Sequence, residues 1–266
     1  SLSQGNYVDF IARSTQPIHD VQRIEFSEFA EEGVDVLLTN KNGTFVSAPV
    51  PKDQRTPTAC HSVVSGDFDN DMDEDMYLVC TRQVDNAPNR LYENLGNGTF
   101  KLVSNAGGAA GSTNGRGDVV AMADYDGDGF LDLFVTNGQD PDSPFSEKGP
   151  HQLYRNLGND NRWIQIDLVG TISNRDANGA RVIVRTGGTV QVREQGGGMH
   201  RLAQNYKRLH FGLGGNDTVD ELKVYWPSGS VQTFSKVEAN QILEIQEGLD
   251  ALVKKQKPTQ TSTPDT

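Results

Sequence analysis

No hydrophobic run in the 266-residue sequence is long enough to span a membrane, so no membrane span is expected. Ser1 to Phe10 lack the charged-then-apolar form of a signal peptide, and a leader, if one existed, is expected to be gone already. The histidines, His19, His61, His151, His200 and His210, stand singly without HExxH or HxH spacing. That argues against a zinc centre and makes His210, inside an apolar strand pattern, a core residue. No GxSxG elbow, P-loop or strand-to-helix GxGxxG is present, which removes the motif-based case for an enzyme. Positive charge is short too: 24 Lys and Arg face 36 Asp and Glu, a formal net charge of −12. The deficit lies in residues 1–162, with 25 acidic against 12 basic side chains, while residues 163–266 carry 11 against 12. A half that acidic repels nucleic acid, and DNA or RNA partners are disfavoured.

The acidic residues are arranged in a pattern. Asp124-Tyr125-Asp126-Gly127-Asp128-Gly129-Phe130-Leu131-Asp132 places carboxylates at positions 1, 3, 5 and 9 between two strand-forming runs, with Gly at position 6. Ca²⁺ takes six to eight oxygens, and a sharply turning loop supplies them from alternate residues while Gly takes the bend. The carbonyl of Phe130 would complete the set. The same spacing occurs at Asp67, Asp69, Asp71 and Asp75, with the Asp73 carbonyl at position 7. A single such loop could be a plain acidic turn; two in register favour two Ca²⁺ sites. In the first loop Met72 replaces the glycine, and a side chain at positive φ is strained, so that site is expected to be the weaker. Carboxylates committed to a cation are poor proton shuttles, and no catalysis is expected.

The two loops mark an internal repeat of 57 residues. Each unit reads as strand, acidic loop, strand, connection, strand with Leu-Tyr, Asn/Gly turn and strand, which is one four-stranded blade of a radial array. A first, remnant unit lacks its loop: Asp35 to Asn40 echo an outgoing strand and Asn42 to Phe45 echo Asn97 to Phe100, while Glu25, Glu28, Glu31 and Glu32 stand where the loop would be. Cys60 and Cys80 flank the first loop on strands that antiparallel pairing would bring together, as a disulfide or as two buried thiols; a bridge would imply an oxidising compartment. Arg116-Gly117-Asp118 spells an adhesion tripeptide, but its place before an incoming strand favours a structural role.

From Trp163 the pattern changes. Trp163 to Val169 alternates as a half-buried strand, Ala180 to Arg185 and Val190 to Arg193 flank a Gly187-Gly188 turn, and strands are expected over Leu209 to Gly214, Val219 to Trp226, Val231 to Phe234 and Gln241 to Ile245. The Pro/Thr-rich end lacks apolar area and reads as a tail. The expected organisation is all-β: partial propeller blades over 1–162, a small sandwich-like β domain over 163–248, and a tail over 249–266.

DFDNDMDED and DYDGDGFLD, followed by LYENLGNGTF and LYRNLGN, resemble FG-GAP/VCBS repeats, while ANGARVIVRTGG, RLHFGLGG and VYWPSGSVQTF together resemble the ASPIC/UnbV domain. The first resemblance implies calcium-binding propellers of about seven blades, as in integrin α-subunits and secreted bacterial proteins. The second implies an exported protein. Residues 1–162 are too few for such a ring, so another polypeptide, from the same precursor or a second copy, is expected to complete the propeller. The expected function is a secreted or cell-surface calcium-binding scaffold for extracellular protein or polysaccharide partners. Alternatives are a non-catalytic accessory region of a larger extracellular enzyme and a self-assembling extracellular polymer subunit.

Overall fold

Alternation along the chain decides the architecture: in the strand holding Asp75, Tyr77 and Val79 these three side chains turn inward while Met76 and Leu78 between them are only partly covered. A computed structural model describes residues 38–47, 60–80, 88–112, 116–138, 149–196, 199–200 and 203–256. The glutamates expected in place of a first loop and the Pro/Thr-rich end from residue 257 lie outside the described residues. Residues 1–59 and 60–266 form separate units. In the first, β1 (Leu38–Lys41) and β2 (Thr44–Ser47) make a hairpin across Asn42 and Gly43, both at positive φ as a two-residue turn requires. Direct pairing across that turn makes β1 the counterpart of a third blade strand rather than of an outgoing one.

The second unit begins with a four-stranded antiparallel blade, β3 (Cys60–Gly66), β4 (Asp75–Cys80), β5 (Arg90–Asn94) and β6 (Phe100–Val103), in that order. Cys60 and Cys80 are cross-strand partners and are disulfide-bonded. The next sheet holds β7 (Arg116–Ala123), β8 (Asp132–Gly138) and β9 (Gln152–Tyr154). Here the expected fourth strand is absent: after Tyr154 the chain passes to β10 of the next domain instead of turning back. Val64, Tyr77, Val79, Val120, Leu133 and Val135 form the core shared by the two sheets. Arg116-Gly117-Asp118 opens β7, with Gly117 laddered to Asn137 and so close to Val79 that a Cβ would lie 2.6 Å from its Cγ1. The tripeptide is part of a packed ladder rather than a loop tip. Among the described residues the sheets do not close a ring, and no helix is long and apolar enough to cross a membrane.

The remaining strands are β10 (Arg162–Val169), β11 (Arg181–Thr186), β12 (Thr189–Glu194), the two-residue pair β13 (Met199–His200) and β14 (Ala203–Gln204), β15 (Leu209–Gly214), β16 (Thr218–Tyr225), β17 (Val231–Glu238), β18 (Gln241–Gln246) and β19 (Leu252–Lys255). Two four-stranded sheets, ordered β15-β10-β18-β19 and β12-β11-β16-β17, enclose Ile164, Ile166, Val182, Phe211, Leu213, Leu222 and Ile245. Burying each such side chain stabilises by about 1.5–3 kcal/mol. β19 falls within the stretch read as a tail from composition; it pairs with β18, and Lys255 reaches Asp167 and Glu244. β10 and β15 are not half-buried. Leu209 to Gly214 are buried without interruption, and so are Trp163 to Ile166, because the face turned away from the sandwich core lies on the acidic loops.

At the far end of the sandwich, Glu247 is 2% exposed and its Oε2 accepts the N–H groups of Thr171, Ile172 and Ser173 at 2.9, 2.8 and 2.7 Å. The hydroxyls of Ser173 and Ser228 donate to Oε1 at 2.8 and 2.6 Å. Burial alone would raise this carboxyl; the Ser228 hydroxyl, the N–H groups of Ser173 and Thr171 and the Ser173 hydroxyl outweigh it and hold it at about 2. Replacing Glu247 by Ala orphans these donors and should cost about 2–3 kcal/mol. Urea denaturation checks this, and a midpoint within error of the parent would rule out the anchoring role.

Candidate metal centre

Each acidic loop is a strand-to-strand bend whose carboxylates fold inward onto its own backbone. In the first, Asp67 accepts the N–H groups of Asp71 and Met72, Asp69 that of Asp71, and Asp71 that of Asp73. In the second, Asp124 accepts from Gly127 and Gly129, Asp126 from Asp128, and Asp128 from Phe130. Positions 4 and 6 lie at positive φ in both, as Asn70 and Met72 in one and Gly127 and Gly129 in the other. Asn enters that region readily; Met72, at +84°, carries strain.

Asp75 and Asp132 do a second job. Each takes the N–H of position 2 of its own loop, Phe68 or Tyr125, and the N–H of an asparagine on or just past the third strand, Asn94 or Asn156. The same asparagines donate from Nδ2 to the carbonyls of Glu74 and Leu131. Position 9 thus pins the loop to the blade.

The carboxylates brought together are Asp67, Asp69 and Asp71 in one loop and Asp124, Asp126 and Asp128 in the other, with one oxygen from each within 4.8 Å of the others. Oxygens about 2.3–2.6 Å from one Ca²⁺ can be at most about 5 Å apart, so the donor set fits a hard dication. Burial raises the Asp67 carboxyl to about 8, with Asp71, Asp69 and Asp75 adding repulsion and the Met72 N–H opposing. Asp75 rises to about 7, Asp73 and Asp132 to about 6, and Asp69 and Asp124 upward, each chiefly through burial. Positive charge would relieve all of them.

The sandwich supplies the burial. Gln165 of β10 donates from Nε2 to Asp124 Oδ2 at 2.6 Å, and His210, its cross-strand neighbour on β15, reaches the Gly129 carbonyl at 3.1 Å. Asn70 joins the same carbonyl at 3.1 Å, and the Gly214 N–H donates to Asn70 O at 2.7 Å. Asn159 and Asn161 donate to Asp69 O at 2.7 and 2.9 Å, and Asn156 to Phe68 O at 2.7 Å. The expectation that His210 belongs to the interior holds; that it touches an acidic loop was not legible from a single histidine in a strand.

Residues 67–135 match the FG-GAP-like repeat. Residues 170–251 match ASPIC and UnbV. The chain is also similar to cartilage acidic protein 1 of Mus musculus, with 28% identity over 264 residues, and to the proteins of that name in Homo sapiens, at 27%, and Xenopus tropicalis, at 30%. Each alignment covers 91% of this chain but 40%, 39% and 39% of the relative, so the chain spans well under half the length of the curated relatives it matches. The FG-GAP-like match contains both acidic loops, and the ASPIC and UnbV match contains β15 but begins just after β10. The roles of Asn70, Asn156 and Gln165 are not legible in the sequence because they lie between repeats or between domains. The Asn shared by LYEN and LYRN was the one available signal.

Proposed function

We propose that this chain is a calcium-stabilised extracellular scaffold that performs no catalysis and presents its β surfaces to protein or glycan partners, with another polypeptide completing the propeller. The observation that carries this reading is the pair of matching loops in which three carboxylates converge at ion-binding separation. Asp67, Asp69, Asp71 and Asp75 with the Asp73 carbonyl would hold one ion; Asp124, Asp126, Asp128 and Asp132 with the Phe130 carbonyl would hold the other. The ion supplies charge neutralisation and rigid coordination; the chain's own residues position the loops. The Cys60–Cys80 bridge and the similarity to cartilage acidic protein 1 support an oxidising, extracellular setting. A cavity of 410 Å³ beside the loops, bordered by Tyr206, Arg208, Arg193, Asp176 and Gln195, offers polar groups of both signs to such a partner.

An ion that binds only the folded state stabilises it by about 2.7 kcal/mol at a hundredfold excess over Kd. EDTA should therefore lower Tm by about 5–10 °C for a unit of this size, and added Ca²⁺ should restore it. A Tm indifferent to both treatments would reduce the loops to plain acidic turns.

A further inference from the structure

The two loops share most of their hydrogen bonds but not their surroundings. The residue preceding the clasping asparagine is Glu93 in one blade and Arg155 in the next. The Arg155 guanidinium lies on the second loop, with Nε 2.5 Å from Asp126 Oδ2 and Nη2 3.2 Å from Asp128 Oδ2. Asp126 and Asp128 are two of the three carboxylates that converge there. That loop already has a cation of the chain's own.

The first loop has the reverse. Among the described residues no lysine or arginine makes an ion pair with Asp67, Asp69, Asp71, Asp73 or Asp75. Arg193 stops at Glu74, 2.8 Å away. Glu93, where Arg155 would stand, is held by Lys101 at 2.9 Å and is near enough to repel Asp69 and Asp73. Asp73 replaces Phe130, adding a carboxylate whose Oδ1 is buried without a hydrogen-bond partner. Asn70, fully buried in the same loop, also has an Oδ1 without a partner.

We propose that Arg155 acts as a tethered cation for the second loop, competing with a divalent ion there and leaving the first loop as the principal metal site. This rests on the metal reading above and reverses the ranking that Met72 alone predicts. The Arg155 side chain is 51% exposed, so it can swing aside for an incoming ion, but the ion must then displace two charge-assisted contacts. Affinity in oxygen-ligand loops follows ligand charge, and the two loops differ in it.

The test is calorimetric titration of the metal-stripped full chain with CaCl₂, with bound metal counted after gel filtration. The expected result is one tight site and a second about tenfold or more weaker. Arg155→Glu should tighten the weaker site about tenfold and leave the stronger unchanged, with Arg155→Gln in between; Glu93→Arg should weaken the stronger site by a similar factor. Circular dichroism checks that each variant is folded. Two sites of equal affinity that ignore Arg155→Glu would overturn the proposal and leave the metal reading intact. No calcium uptake by the parent or any variant would overturn both.

Discussion

Replacing Gly212 by alanine is expected to destabilise the chain by about 3 kcal/mol or more and, on the proposed metal reading, to weaken calcium binding at the first loop. Gly212 sits on β15 where the sandwich meets the first acidic loop. A Cβ there would lie 2.1 Å from Asp67 Oδ2 and 2.5 Å from Asn70 Cα. The carboxylate could turn away only by giving up the N–H groups of Asp71 and Met72, and the Asn70 backbone is fixed by the Gly214 N–H and by the Asn70 side chain on Gly129. Relief therefore requires the domain to lift off the loop. Gly215, three residues on, has nothing within 4 Å of its would-be Cβ, so Gly215→Ala is the control and should be close to neutral. Gly129→Ala probes the same interface from the second loop, where the new methyl would fall 1.9 Å from the Trp163 ring at φ +101°. Thermal melts with and without Ca²⁺ read both effects. Equal melting temperatures for Gly212→Ala and Gly215→Ala would mean that the sandwich does not rest on the loop.

That interface explains which parts of the molecule the sequence disclosed. Strands with one wet face announce themselves by alternation, and every strand expected from Trp163 to Ile245 is present, with bounds shifted by at most one residue except in β17, which runs four residues past Phe234 to Glu238. The loops were legible because ligand chemistry is local: nine consecutive residues hold the carboxylates and the bends. What stayed hidden is tertiary. Leu209 to Gly214 reads equally well as a core strand whether its second face meets solvent or an acidic loop, and only the fold brings Gly212 to Asp67. Gln165 follows the alternation expected of a solvent-facing residue, yet it is 1% exposed because Asp124 lies above it. The missing fourth strand of the second blade has the same origin. LYRNLGN repeats LYENLGN, and nothing within it reports that the chain then crosses to β10.

The metal-free protein should become less stable as pH rises from about 6.5 to 8, and calcium should abolish that trend. In the fold Asp67 titrates at about 8 and Asp75 at about 7, mainly because burial disfavours their charge, against 3.8 for the ordinary carboxyl. Between those values the folded state holds protons that the unfolded chain has lost, so stability falls as pH rises, by up to about 1.4 kcal/mol per unit for each group still titrating. His210 acts in the opposite sense at lower pH. Burial lowers it to about 4, the Gly129 carbonyl opposes this and Arg193 adds to it, so its contribution is complete above about 6.5 and is lost as pH falls below that. Glu247, held at about 2, changes only in more acid solution. The window above 6.5 therefore isolates the loops, and in EDTA the loss across it should be about 2 kcal/mol, or about 5 °C in Tm. With calcium bound the carboxylates are charged at no penalty, and acidification, which protonates the ligands, becomes the destabilising direction. Paired melts at pH 6.5 and 8, in EDTA and in CaCl₂, separate the two regimes. A chelated protein that melts higher at pH 8 than at 6.5 would mean that the buried aspartates carry no unmet demand for positive charge.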